Sequence, residues 1–322
     1  MVYLDYCATT PVNKKVLETF NKVCLEFPGN TNSLHQLGTD SKELEVYATK
    51  KITKLLDLKD KEIIYTSGAS EANNHSLKGI CSKYKNRGTN IITTYLEHSS
   101  ISSTIKYLTN NGFTVDYVKL DQNGIVDLEH LKKLLTNNTL LVSISYVDSE
   151  LGIQQPIEEI SNILKEYPKC FFHVDCTQAL GKVDIDFSKF DLASISMHKI
   201  FGLKGIGMLI KNKNIVLENL IHGGKSTTTY RAGTPALPLI VSSMKAIELI
   251  MEAKKNIQNS QIITKLNQRI LTQLAKNSNV YLNSTSKSIP HVINFSIPKI
   301  KSETFIHAMS DQKIYISTKS AC

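Results

Sequence analysis

The stretch SISMHKIFGLKGIGMLI (residues 194–210) decides the fold. An apolar, β-branched run leads into His198–Lys199, a glycine-bearing turn follows, and a second apolar run resumes at GIGMLI (205–210). Working outward, similar short runs recur upstream: ASISM (193–197), FFHVD (171–175), LLVSISY (140–146), FTVDYVKL (113–120), NIITT (90–94) and EIIYTS (62–67). Between them lie amphipathic stretches with helical spacing at residues 70–85, 99–111, 127–136 and 156–167. Strands that are nearly continuously apolar, alternating with helices, predict an α/β domain with a mostly parallel sheet buried on both faces. After about residue 235 the pattern changes to long helical segments up to residue 276, then short strands near YLNS (281–284) and HVINFSI (291–297). The expected division is a large domain over 14–245 and a smaller α/β domain from 1–13 with 246–322.

Composition narrows the function classes. The chain has 322 residues and a formal charge of +9, and only three of its 38 basic residues are arginine. The lysines are spread along the chain without a dense basic run, which reads as a solvated surface and gives no direct nucleic-acid partner. No apolar run reaches the roughly 18 residues of a membrane span. The opening MVYLDYCATTPVNKK has no basic region followed by an apolar one, so a cytoplasmic protein is expected. Six cysteines (7, 24, 81, 170, 176 and 322) are scattered without paired spacing, which argues against a zinc site and a disulfide framework. Five of them read as small buried hydrophobes; Cys322 stands apart, in the polar ending YISTKSAC (315–322), where Lys319 favours its thiolate.

Five further segments carry chemistry. In TSGASEANN (66–74) a strand turns through Gly68 into a helix at Ala69 and Ser70. A helix start presents unpaired N–H groups and suits a phosphate, although Ser before Glu is also an ordinary helix start. In FHVDCTQALGK (172–182) Asp175 ends an apolar strand, where α/β proteins place ligands. A carboxylate buried there needs a cation, such as a protonated pyridine nitrogen, and Asp175 equally reads as a cap for the next helix. Gln178 is a candidate donor to a ring oxygen. Lys199, set among apolar residues, would have its ammonium form disfavoured, and a neutral amine is what a Schiff base requires. Ser196 and His198 add donors beside it. His98, in YLEHSS (95–100), follows a strand end, and HGGKSTTTYRAGTP (222–235) is a glycine-rich loop with Arg231 and Thr234.

In order, LDYCATTPV (4–12), GNTNSLHQLG (29–38), TSGASEANN, the IITTYLEHSS stretch, SYVDSELG (145–152), HVDCTQALGK, SMHKIFGLKGIG, HGGKSTTTYRAGTP and STKSAC span the chain. Together they resemble the cysteine desulfurases, pyridoxal-phosphate (PLP) enzymes of the class V aminotransferase group with the aspartate-aminotransferase (type I) fold and a seven-stranded sheet. The resemblance implies that Lys199 holds PLP, Asp175 pairs with the ring nitrogen, and Gln178 bonds the phenolic oxygen. It implies that His98 stacks on the ring and moves protons, and that Ala69, Ser70, Ser196 and His198 cradle the phosphate. Thr234 would reach the phosphate of a partner subunit, making a homodimer, and Asn30 lies near the substrate carboxylate. L-cysteine would become alanine, with sulfur held on Cys322 as a persulfide for an acceptor such as an iron–sulfur scaffold or a tRNA-thiolating enzyme. Other class V enzymes, selenocysteine lyases and aminotransferases, are the neighbouring alternative, and a non-catalytic PLP-binding homologue is another.

The sequence departs from the family pattern in places. Ser149 stands where an asparagine usually contacts the ring oxygen, Thr31 replaces a proline, and Lys319 replaces a glycine in the loop before the cysteine. Family members continue for several dozen residues past this cysteine and carry there an arginine for the substrate carboxylate. The expectation is a chain that binds PLP and turns over cysteine poorly.

Overall fold

The apolar runs become one seven-stranded sheet. A computed structural model of the protein describes residues 1–224 and 226–318. A two-residue strand β1 (Val2–Tyr3) precedes helices α1 (Lys14–Glu26) and α2 (Gln36–Leu55). The sheet then collects β2 (Lys61–Thr66), β3 (Asn90–Thr93), β4 (Thr114–Tyr117), β5 (Thr139–Ser145), β6 (Phe171–Asp175), β7 (Leu192–Ser196) and β8 (Gly207–Asn212). Its connections include α3 (Ala69–Tyr84), α4 (Ser99–Thr109), α5 (Leu128–Leu134) and α6 (Ile157–Leu164). The chain continues through α7 (Leu237–Lys255), α8 (Ile257–Leu274), β9 (Tyr281–Leu282), β10 (Phe295–Ser296), α9 (Ser302–Asp311) and β11 (Ile314–Tyr315).

The strand order is β2–β8–β7–β6–β5–β3–β4, and every pair is parallel except the two that β8 makes. After β3 the chain runs outward to β4, then returns to the other side of β3 as β5 and proceeds through β6 to β7. The direction of winding therefore reverses between β3 and β5, the kind of crevice where open α/β sheets bind ligands. Period-two alternation divides the strands between two cores: Val142, Ile144, Ala193 and Ile195 face one, while Leu141, Leu192 and Leu209 face the other. All seven residues of β5 are buried, as a sheet covered on both faces requires. One polar residue spans the sheet centre: His173 uses Nδ1 on Ser143 Oγ (2.9 Å) and Nε2 on Ser194 Oγ (2.9 Å). Burial pulls its pKa down to about 4, so it is a neutral bridge across three strands.

Two strands differ from the expected runs for local reasons. β4 stops at Tyr117, because Leu120 bridges Val126 across a turn in which Asp121 Oδ1 accepts the Asn123 and Ile125 N–H groups. β8 starts only at Gly207, because Gly205 takes a left-handed φ of 84° in the turn before it. The division expected at residue 245 falls inside α7, a continuous helix. β1 pairs in parallel with β11, joining the two ends of the described chain. Of the five cysteines expected to be buried, Cys81, Cys170 and Cys176 are; Cys7 is half-buried and Cys24 is exposed on α1. Cys24 fails the expectation because it lies on the solvent side of an amphipathic helix whose buried positions are Val16 and Val23.

Candidate active site

The C-terminal ends of β2, β3, β5, β6 and β7 carry the candidate residues, which form two hydrogen-bonded groups, one around Asp175 and His98 and one around Lys199. Asp175 ends β6 and is 5% exposed. Its Oδ1 accepts the Thr177 N–H (2.9 Å), an Asx turn, and no helix follows, so the capping alternative is met only as a turn. Its Oδ2 accepts Asn73 Nδ2 (2.8 Å) from the buried face of α3. Among the described residues no lysine or arginine nitrogen pairs with Asp175 within 4 Å. A buried carboxylate with two N–H donors and no cation of its own is fitted to receive one.

Asn73 Nδ2 also donates to Ser100 Oγ (2.9 Å), and Ser100 Oγ lies 2.8 Å from His98 Nδ1. His98 is the N-cap of α4, its Nδ1 accepting the Ser100 N–H at 3.1 Å. A ring nitrogen that accepts a backbone N–H carries no proton, so neutral His98 holds its proton on Nε2. Beside it, Glu97 accepts Thr94 Oγ1 (2.7 Å), Ser145 Oγ (2.7 Å) and the Ser145 N–H (3.1 Å), which ties the loop after β3 to the end of β5. Burial, with a smaller push from Asp175, raises Glu97 to about 7.

Lys199 closes the one-turn helix Met197–Lys199 that follows β7. Its Nζ donates to the backbone carbonyls of Cys7 and, at 2.7 Å, Ala8. The N-terminal segment is clamped onto this turn: the Thr10 N–H and Oγ1 both donate to the His198 carbonyl at 2.9 Å, and His198 Nδ1 lies 3.1 Å from Thr9 Oγ1. Burial, with the nearby Lys199 and Lys204 charges, holds His198 near 4, so the ring is neutral. Gln178 Nε2 also donates to the Cys7 carbonyl (3.0 Å), while its Oε1 accepts Lys182 Nζ (2.5 Å). Desolvation lowers Lys182 to about 8, the Lys199 charge adding to it and Cys7 opposing. Gln178 thus spends its amide donor on Cys7, and a bond to a ring oxygen requires it to turn or to share that N–H.

The start of α3 meets the strand edge closely. Gly68 is its N-cap without a side-chain cap, and an added Cβ there would lie 3.7 Å from Ser196 Oγ. The start of α3, whose first N–H groups are at Ala69 and Ser70, therefore lies beside the Ser196 hydroxyl. Arg231 Nε binds Glu71 Oε1 at 3.0 Å, which fastens the 222–235 loop to the first turn of α3.

The sequence profile of the family described as "Aminotransferase class-V" matches residues 2–322. The chain belongs to the class-V aminotransferase family. Among its relatives, cysteine desulfurase IscS of Dictyoglomus turgidum is 38% identical over 326 residues, covering all of this chain and 82% of the relative. Cysteine desulfurase IscS of Buchnera aphidicola subsp. Acyrthosiphon pisum is 40% identical over 330 residues, covering all of this chain and 80% of the relative. Of solved structures, a NifS-like protein superposes with a TM-score of 0.95 at 35% identity over 99% of this chain and 87% of that one. SspA in complex with cysteine superposes at 0.86 with 30% identity, covering 100% of this chain and 90% of that one. This class-V fold is type I, as the resemblance implied.

Enzymes of the class-V family use pyridoxal phosphate, and the residues present fit it. A lysine amine, a buried carboxylate with no lysine or arginine partner among the described residues, and a helix start beside a hydroxyl match its aldehyde, ring nitrogen and phosphate. Lys199 would hold the aldehyde carbon, Asp175 the ring nitrogen, and Ala69, Ser70, Ser196 and His198 the phosphate. When bound, this group supplies an electron sink for a carbanion at the carbon bearing the substrate amine.

Other predicted residues lie apart from this network. Asn30 is exposed, and its Oδ1 accepts the Asn32 N–H at 2.9 Å. Thr234 is exposed just before α7, and Ser149 is half-buried in the turn after β5, where Asp148 takes the Glu150 and Leu151 N–H groups. Among the described residues no hydrogen bond joins these three to Lys199 or Asp175. Cys322 and Lys319 lie outside the described residues. Sequence reasoning missed Asn73, Ser100, Glu97 and Lys182. The available signal was an asparagine at a buried helix position, between Ala72 and the Ser76–Leu77 face of α3.

Proposed function

We propose that this protein is a pyridoxal-phosphate cysteine desulfurase that converts L-cysteine to L-alanine and carries the sulfur on Cys322 as a persulfide. The observation that carries the reading is the convergence of Lys199, Asp175 and His98 at one sheet edge, in a chain that matches cysteine desulfurases along its whole length. The step balances without an external oxidant. The Cys322 thiolate forms an S–S bond to the substrate sulfur while the C–S bond breaks, its electron pair staying on carbon. Protonation then completes alanine, and the enzyme thiol has become a persulfide.

The chain's own groups divide the work. Asp175 would pair with the ring nitrogen, and the Asn73 and Thr177 N–H groups hold its carboxylate in place. Lys199 takes and returns the proton at the substrate α-carbon, and the Cys7 and Ala8 carbonyls receive its ammonium when it is free of the cofactor. His98 presents Nε2–H as a proton donor. Asn30 contributes to holding the substrate carboxylate, and Ser149, short for an asparagine's reach, leaves the ring oxygen to Gln178.

The protein acts as a homodimer in which Thr234, exposed on its loop, reaches the partner's phosphate. The persulfide sulfur passes to an acceptor protein, an iron–sulfur scaffold or a tRNA-thiolating enzyme. The five described cysteines are all free thiols, which supports a reducing, cytoplasmic setting. No helix among the described residues is long and apolar enough to cross a membrane, and no metal-holding cluster occurs among them.

The test is to add L-cysteine to the cofactor-loaded chain, alkylate, and map sulfur by peptide mass. One extra sulfur on the Cys322 peptide, absent with L-alanine and in Lys199→Ala, is expected. Alanine formed with no sulfur on any cysteine would remove Cys322 from the mechanism.

A further inference from the structure

We propose that Asn73 is a positioning residue whose single buried amide sets His98 and Asp175 in register with each other. The proposal rests on the desulfurase reading only for its catalytic consequence; the geometry stands without it. Asn73 is completely buried in α3, and its Nδ2 carries two hydrogens. Each hydrogen has an acceptor: Asp175 Oδ2 at 2.8 Å and Ser100 Oγ at 2.9 Å. The orientation of the amide follows from its neighbour, because the reverse flip would set Oδ1 against the Asp175 carboxylate.

The direction of the bonds then propagates. Ser100 Oγ accepts from Asn73, so its own proton is available to His98 Nδ1, 2.8 Å away. That nitrogen also accepts the Ser100 N–H at 3.1 Å. Nδ1 is therefore an acceptor twice over and the ring proton sits on Nε2. The chain Asn73 N–H to Ser100 O–H to His98 Nδ1 joins the imidazole to the carboxylate, and Asn73 is the member that touches both arms.

The chemistry selects asparagine at this point. Two donors on one atom are needed within one turn of α3; a leucine of similar shape offers none. Asn73 Oδ1 is buried without a partner among the described residues, a cost that a purely packing residue would not carry. The polar group is kept for what its N–H groups do.

The experiment uses the full chain labelled with ¹⁵N-histidine and free of cofactor, with the His98 signals assigned from His98→Gln. Wild type is expected to show the proton of the neutral His98 form on Nε2 and none on Nδ1. In Asn73→Leu and in Ser100→Ala the His98 signals shift toward a mixture of the two tautomers, because only the backbone N–H still holds Nδ1. In the loaded enzyme Ser100→Ala lowers kcat on the order of 10-fold and Asn73→Leu on the order of 10²-fold, as misplaced reacting groups do. KM for L-cysteine stays unchanged, and the double variant is no worse than Asn73→Leu alone. Wild-type His98 signals in both variants would overturn the proposal, and so would wild-type kcat in both. Should Asn73→Leu fail to fold, Ser100→Ala decides the His98 arm by the same signal. A shifted signal in an enzyme that makes no alanine would leave the positioning intact and refute the desulfurase reading instead.

Discussion

Replacing Gly207 by alanine tests the cradle built at the start of α3. A Cβ at Gly207 would lie 2.6 Å from the Gly68 carbonyl carbon, 2.7 Å from Gly68 Cα and 2.6 Å from the Ile195 oxygen. Ordinary contact begins at 3.4 Å, so the backbones must part by about 0.8 Å (3.4 − 2.6). Gly207 cannot retreat, because it is paired with Ser196 of β7 on one side and Thr66 of β2 on the other. The strain therefore falls on the Ile195 carbonyl of β7 and on the Gly68 turn with the helix start behind it. Overpacking of this kind costs about 1–3 kcal/mol, which lowers Tm by roughly 1.5–4.5 °C in a chain of this size. If the start of α3 holds the phosphate as proposed, displacing it weakens one charge-assisted bond, about 1.5–3 kcal/mol, or roughly 10- to 100-fold in cofactor Kd. The assay is absorbance titration of the cofactor-free chain with PLP, beside thermal unfolding. Gly205→Ala is the control: its Cβ meets nothing within 4 Å, yet its φ of 84° is strained for alanine by roughly 1–2 kcal/mol. It should lose stability and keep its cofactor affinity. Wild-type affinity in Gly207→Ala, or an equal loss in Gly205→Ala, would refute the reasoning.

On the proposed pairing of Asp175 with the ring nitrogen, Asp175→Asn loses about 3–5 kcal/mol, so PLP Kd rises roughly 10²- to 5 × 10³-fold in the same titration. Glu97 is raised to about 7 by burial, above its ordinary value, so the folded state holds a proton that the unfolded state releases. Its contribution is present at pH 4.5 and is lost as pH rises through 7, by about 3 kcal/mol as an upper bound. Urea unfolding at pH 5 and pH 7.5 should show this slope in wild type and a flatter one in Glu97→Gln. Glu71→Ala and Arg231→Ala should each destabilise the 222–235 loop against α3, with a coupling of roughly 1 kcal/mol in the double variant; strict additivity would mean the 3.0 Å pair holds nothing.

The sheet and its ligand edge were legible because they are written locally. Each strand announces itself by a run of apolar residues, and Asp175 and Lys199 stand at the ends of such runs. The seven strands fell within a few residues of their expected positions for that reason. What was not legible depends on partners distant in sequence. Asn73 meets Asp175 102 residues away, and Lys199 meets a backbone carbonyl 192 residues away. A carbonyl has no residue type, so nothing in LDYCATTPV marks Cys7 and Ala8 as acceptors for that lysine. Gln178 was assigned to a ring oxygen by resemblance, while its amide is engaged with Cys7, another bond across 171 residues. Asn73 was within reach of periodicity: an asparagine on the apolar stripe of α3 must satisfy its amide from inside the protein.

The central claim is tested most directly by single-turnover analysis of the PLP-loaded chain with L-cysteine, counting alanine per loaded chain. The account predicts one alanine per chain without added reductant, and matching sulfide when a thiol is supplied. It also predicts that both products are lost in Lys199→Ala and in Cys322→Ala. No alanine from a chain that binds PLP, or alanine undiminished in Cys322→Ala, would contradict it.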